Sequence, residues 1–149
     1  MRAVVQRVSR AVVTSGGEIL GAIGPGLVVF LAIHGNDGPD ETQWMADKIL
    51  GLRIFEDEDG KMNRSLLDIG REILIVSQFT LYGDCRKGRR PGFADAAPPA
   101  HAEPVYHRFI EAIRQRGIRA AAGRFQANMA VELVNDGPVT LLVDSDKLF

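Results

Sequence analysis

One cysteine, Cys85, excludes an internal disulfide and any cysteine-clustered zinc site. Histidine is almost as scarce. His34, His101 and His107 share no spacing suited to a metal, so a metal-independent protein without a cofactor is expected. No apolar run approaches the ~20 residues that span a bilayer, and the chain opens on a charged, strand-like pattern instead of a signal peptide. These absences, with the lone thiol, predict a cytoplasmic protein with no membrane association. Gly-x-Ser-x-Gly is missing, which argues against a hydrolase nucleophile elbow, and neither a phosphate loop nor a dinucleotide fingerprint occurs. The net charge is only −1, from 18 Lys plus Arg against 19 Asp plus Glu, so the molecule as a whole does not attract nucleic acid.

What is present fits one domain, residues 1–149, with 46% hydrophobic residues and no linker, repeat or low-complexity tract. Residues 2 to 8 and 10 to 15 have a β-like pattern, and Gly16-Gly17 supplies a turn before Glu18 to Ile23, so a hairpin or meander opens the fold. Leu27 to Ile33 is apolar throughout and predicts a central strand buried on both faces. Asn36-Asp37-Gly38-Pro39 starts a helix whose Met45, Ile49 and Leu52 form one apolar stripe, with Trp44 packed beside it. A second helix carries Tyr106, Phe109, Ile110 and Ile113 on one face, with Pro104 in its first turn and Gly117 at its end. Residues 91 to 100 form the longest irregular segment, and two strands close the chain around residues 128 to 135 and 139 to 144. The fold class expected is α/β: a single mixed, sheet-rich layered domain with two main helices.

Charge is segregated. Arg86, Lys87, Arg89 and Arg90 lie in one run, with Arg114, Arg116, Arg119 and Arg124 later, whereas acidic residues gather at Asp37 to Asp47 and Glu56 to Asp59. A basic face beside a site is thereby permitted. The acidic run Glu56 to Asp59 precedes Gly60 too closely for a calcium loop and reads as a solvated turn.

Two segments carry the chemistry. Ile73 to Val76 is a buried-strand run that ends on Ser77, Gln78, Phe79 and Thr80. On a regular strand Ser77 and Phe79 face one way, Gln78 and Thr80 the other. Thr80 is a possible nucleophile, yet no local His, Lys or carboxylate would activate it, and a β-branched strand residue bonded to backbone is the simpler account. Gln78 can position a carbonyl or water, or be a strand-edge amide; Phe79 is most simply core. The second segment, Asn135-Asp136-Gly137-Pro138-Val139-Thr140, should break its ladder, because Pro138 has no N–H to give. Taken alone, this segment is more simply a plain turn. Cys85, among cations, is a conceivable reactive thiol or an incidental surface residue.

Ser77-Gln78-Phe79-Thr80-Leu81 and Asn135-Asp136-Gly137-Pro138-Val139-Thr140 together resemble the signature pair of the bacterial and eukaryotic D-aminoacyl-tRNA deacylases. Met1 to Val8, Leu52-Arg53-Ile54-Phe55, Gly60-Lys61-Met62-Asn63 and Gly123-Arg124-Phe125 are similar to that family in order and spacing, so the likeness covers nearly the whole chain. The resemblance implies hydrolysis of the 3′ ester of D-aminoacyl-tRNA, and of glycine mischarged on alanine tRNA. It also implies a homodimer with active sites at the subunit interface, where a cis Gly137-Pro138 motif crosses into the partner. Ser77, Gln78, Phe79 and Thr80 would be catalytic, and Gly137, Pro138, Arg7, Phe125 and Met129 would bind substrate. The rival from another class is a noncatalytic RNA-binding module that uses Arg86 to Arg90.

Overall fold

The computed structural model describes residues 1–149. Its centre is β3, Gly26–Ala32, whose run of β-branched, aliphatic and aromatic residues suits a strand covered on both faces. Antiparallel to β3 lies β1, Arg2–Ser15, and parallel to it on the other edge lies β6, Glu72–Ser77. Next to β6 the short β7, Ala120–Ala122, pairs in parallel, while β2, Glu18–Ile23, takes over from β3 along the second half of β1. The free edge of β1 is covered along its length by β8, Ala130–Asp144. The parallel neighbours require crossover connections, and helices supply them.

The first crossover holds α1, Pro39–Leu50, a hairpin of β4, Phe55–Glu56, with β5, Met62–Arg64, and the single turn α2, Leu66–Ile69. The second holds a 3₁₀ turn, Phe79–Tyr82, and α3, Pro99–Gln115. Helix α1 starts where the sequence says: Gly38 N–H donates to the Glu41 carboxylate at 2.8 Å, so the acidic first turn satisfies the backbone at the N-cap. One face of the sheet, with Leu27, Val29, Leu31, Ile73 and Ile75, packs on Met45 and Ile49 of α1 and Phe109 and Ile113 of α3. The opposite face, with Val28, Leu74 and Val76, buries a smaller core against Val8, Val13 and Ile23. The sheet-rich mixed α/β layering with two main helices is therefore as expected, with α2 as a short addition.

Five local expectations change. Leu52 falls beyond α1, which ends at Leu50 with Gly51 as its cap, so it is no part of that helix's stripe. The opening segment is one strand, not two, because residues 2 to 8 pair with β3 while residues 11 to 15 pair with β2, so nothing breaks the chain between them. The two closing strands are likewise one. Its pairing with β1 slips between Gln6 and Val8, opposite the Gly-Pro pair, and again between Val8 and Arg10, so the ladder is interrupted only locally. Pro104 lies in the second turn of α3, since that helix already begins at Pro99. Phe79 is not core: it is 55% exposed, because β6 stops at Ser77 and the 3₁₀ turn swings the ring outward.

Candidate active site

The first signature segment turns at the end of β6. Gln78 N–H still donates to the Leu31 carbonyl at 2.8 Å, and the chain then tightens into the 3₁₀ turn, with Leu81 N–H on the Gln78 carbonyl at 3.2 Å. That change of geometry puts Gln78 Nε2 in hydrogen-bond contact with Thr80 Oγ1. A regular strand would also have shared their face, but the turn leaves Phe79 and Thr80 exposed and their backbone N–H groups at turn positions without an acceptor inside the turn.

Ser77, Gln78 and Phe79 line a cavity of about 650 Å³ between the end of β6, the start of α3 and the 125–131 segment. Phe125 and Met129 form part of its wall, so five of the nine residues named from the sequence meet here. Thr80 does not line it. The polar side chains that do are Ser77, Gln78, Gln126 and Asn128; the cavity contains no histidine, cysteine or carboxylate. His34, His101 and His107 all lie elsewhere: His101 Nε2 meets the Asp37 carbonyl at 2.9 Å, and His107 pairs with Glu103 on the helix surface.

Two residues support the cavity that sequence reasoning did not single out for it. Tyr106, fully buried on α3, donates its hydroxyl to the Ile75 carbonyl at 2.9 Å and sets its ring 5.9 Å from that of Phe125. Burial pushes the phenol pKa well up, so it remains a neutral donor. Gly123 N–H donates to the same carbonyl at 3.0 Å, and a Cβ on Gly123 would lie 2.6 Å from Met129 Sδ. The missing side chain is what lets Met129 lie there. Helical spacing put Tyr106 on a core face in the sequence, but nothing in that spacing could show the carbonyl it meets.

The second signature segment lies at a different place. Gly137-Pro138 is a cis peptide within β8, and Gly137 has φ +121°. Arg7, only 7% exposed, reaches across from β1: Nη1 donates to the Ile54 carbonyl at 2.7 Å and Nε to the Asp136 carbonyl at 3.3 Å. The Asp136 carboxylate sits 3.4 Å from the same Nε. Arg7 and Asp136 border a polar cavity of about 770 Å³ with Glu56, Arg64 and Asp68. The Asn135 amide, oriented by its surroundings, donates to the Val139 and Arg7 carbonyls at 3.0 and 2.9 Å and accepts from the Thr140 hydroxyl at 2.9 Å. Asn135 and Thr140 thus bridge the two sides of the Gly-Pro turn, replacing ladder bonds that Pro138 cannot make. Within one chain, neither Gly137, Pro138 nor Arg7 borders the Ser77 cavity.

The chain is similar to known proteins along nearly its whole length. A family model described as D-Tyr-tRNA(Tyr) deacylase matches residues 4–144. The D-aminoacyl-tRNA deacylase of Symbiobacterium thermophilum is 60% identical over 149 residues, covering 100% of this chain and 99% of that protein. That of Thermotoga petrophila is 57% identical over 149 residues, covering 100% of both. A solved structure described as c-Myc DNA Unwinding Element Binding Protein superposes with TM-score 0.91 at 47% identity, over 97% of this chain and 98% of that one. With a family model spanning the two signature segments and full-length relatives at such identity, the chain belongs to the D-Tyr-tRNA(Tyr) deacylase family, hydrolases of the ester bond in D-aminoacyl-tRNA.

Proposed function

We propose that this protein removes D-amino acids, and glycine mischarged on alanine tRNA, as a homodimer in which Gly137-Pro138 of one copy enters the Ser77-Gln78-Phe79 cavity of the other. The carrying observation is the separation of the two signature segments, which border different cavities of one chain. A second copy can unite them. Exposed apolar side chains on β8 favour such a contact: Val134 is 41% exposed and Leu142 62%. The dimer works in the cytoplasm, where aminoacyl-tRNA is consumed.

Main-chain carbonyls at Gly137-Pro138 hold the substrate's α-amino group, and the backbone there occupies the direction an L side chain would take. Exclusion by backbone tolerates many D side chains, whereas an apolar pocket would demand a particular one. Glycine presents hydrogen on both sides and enters. Arg7 holds the motif by its contacts at Asp136, and Phe125 with Met129 walls the bound ester.

The cavity offers no side-chain base, so water adds to the ester carbonyl with the help of the substrate's terminal ribose 2′-hydroxyl. The 3′ oxygen leaves, takes up a proton and yields free amino acid and tRNA. Backbone N–H groups of Phe79 and Thr80 stabilise the oxyanion, since fixed donors cost little reorganisation. Ser77 and Gln78 orient the ester.

Incubation of the pure protein with matched D- and L-tyrosyl-tRNA, and with glycyl-, D-alanyl- and L-alanyl-tRNA, tests this reading by release of amino acid. The D and glycyl esters should be cleaved and the L esters refused. Comparable cleavage of L- and D-alanyl-tRNA would defeat the backbone wall. Binding without release would favour the noncatalytic RNA-binding module.

A further inference from the structure

Several of the arginines that follow α3 are cancelled where they lie. Arg116 pairs with Asp47, Arg119 with Glu72 and Arg124 with Glu18, so these later arginines form no free basic face. The loop after the 3₁₀ turn is different. Asp84 takes Arg86 in a two-point pair, Nε and Nη2 each at 2.8 Å, and the guanidinium holds that carboxyl far below the usual carboxylate range. Lys87, Arg89 and Arg90 are exposed and form no ion pair. Backbone bonds in both directions between Asp84 and Gly92, at 2.7 and 3.0 Å, close the neck of this loop and hold the three cations together.

Directly after the neck stands Phe93. Its ring meets that of Phe79 edge to face, with centroids 5.1 Å apart, at the mouth of the Ser77 cavity. Gly83 makes the room: a Cβ there would lie 3.2 Å from the Phe93 ring and 3.0 Å from the Thr80 carbonyl. Phe93 is 38% exposed and Phe79 55%, so the chain leaves part of each ring open to solvent.

We infer that the pair and the loop are one binding surface for single-stranded RNA: the unpaired nucleotides that precede the esterified one. The inference rests on the deacylase reading for its substrate. Bases lie against Phe93 and Phe79, and phosphates lie against Lys87, Arg89 and Arg90. The charge complementarity favours a polyanion over a second copy of this chain, whose formal net charge is only −1. Stacking accepts any base and cations accept any phosphate, so such a surface serves many tRNAs without reading their sequence.

The test is a titration of a short labelled RNA ending in the tRNA 3′ sequence, without an amino acid, followed by fluorescence anisotropy at several salt concentrations. Phe93→Leu should weaken binding about tenfold, the loss of roughly one stacked base. The triple change Lys87→Gln, Arg89→Gln and Arg90→Gln should weaken it too and reduce the salt slope by about 2, as three single-strand phosphate contacts require. The triple variant should still cleave the D-tyrosyl ester of adenosine, which has no phosphate, at the unmodified rate. Unchanged affinity and salt slope in both variants would overturn the inference. So would a Phe93→Leu protein that loses its oligomeric state but binds RNA normally, since the aromatic pair would then be a subunit contact. Because the titration uses uncharged RNA, failure of the unmodified protein to cleave any D-aminoacyl ester would strike the deacylase reading alone.

Discussion

Gly137 combines two constraints that alanine cannot meet. Its φ of +121° lies where L side chains rarely go, and an added Cβ would stand 2.9 Å from Val139 Cγ2, 3.0 Å from Arg7 Nη2 and 3.1 Å from the Val139 nitrogen. The arginine tip can retreat, but the valine backbone cannot, so Gly137→Ala should cost roughly 1–3 kcal/mol of stability. Turnover should suffer more. A shift of a fraction of an ångström moves the carbonyls proposed to hold the α-amino group, and kcat/KM for D-tyrosyl-tRNA should drop at least ~10²-fold in steady-state assays. Thr80 gives the opposite expectation. Its hydroxyl accepts from Gln78, and no histidine, lysine or carboxylate is hydrogen-bonded to it, so it has no base. Thr80→Ala and Ser77→Ala should each keep deacylation within about tenfold of the unmodified protein. A loss of ~10³-fold in a folded Thr80→Ala protein would instead identify a nucleophile. The sequence already showed that Thr80 lacks an activator. It did not show that Phe79 faces outward, because a strand ending in a 3₁₀ turn looks, residue by residue, like a strand that continues.

Helix α1 shows how far local patterns can be read. Gly38-Pro39-Asp40-Glu41 announces its start, the apolar stripe announces its buried face, and Met45 and Ile49 are indeed fully buried. The central strand β3 was equally legible from its unbroken apolar run. What failed were joints whose outcome depends on partners far along the chain: β1 stays whole because two strands share one of its edges, and β8 stays whole because Asn135 and Thr140 bridge its gap. The same helix yields a pH prediction. Glu41 is held below the ordinary carboxylate range chiefly by the Gly38 backbone N–H, and Asp47 by its bond to Arg116 just beyond α3. A carboxyl with a depressed folded pKa adds stability above its unfolded pKa, and that contribution vanishes as pH falls through the folded value. Urea midpoints should therefore decline below about pH 4. Glu41→Gln should lower the midpoint at neutral pH and make the acid decline shallower. An acid decline as steep in the variant as in the unmodified protein would show that the α1 cap is not among the groups being titrated.

At the scale of the molecule, the two signature segments look like one site in the sequence and lie at two cavities in the fold. Sequence order has no means of saying which copy of a chain a motif serves. The distinction can be measured by complementation, because Gly137 and Gln78 belong to different halves of the proposed site. In a Gly137→Val homodimer both sites lack a working turn, and in a Gln78→Ala homodimer both lack the amide, so each should be nearly inactive. Co-expression of the two forms with different tags gives mixed dimers. If the turn acts across the interface, one site of each mixed dimer pairs an intact Gln78 with an intact Gly137, and the other site carries both defects. With random pairing about half the dimers are mixed, so the pool should recover about a quarter of the native rate, and purified mixed dimers about half. If the turn acts within its own chain, every site in the mixed dimer carries one defect and no activity returns. Recovery on D-tyrosyl-tRNA with continued refusal of L-tyrosyl-tRNA would tie chirality to the turn supplied by the partner. Silence from a mixed dimer whose assembly is confirmed by its two tags would defeat the cross-subunit arrangement.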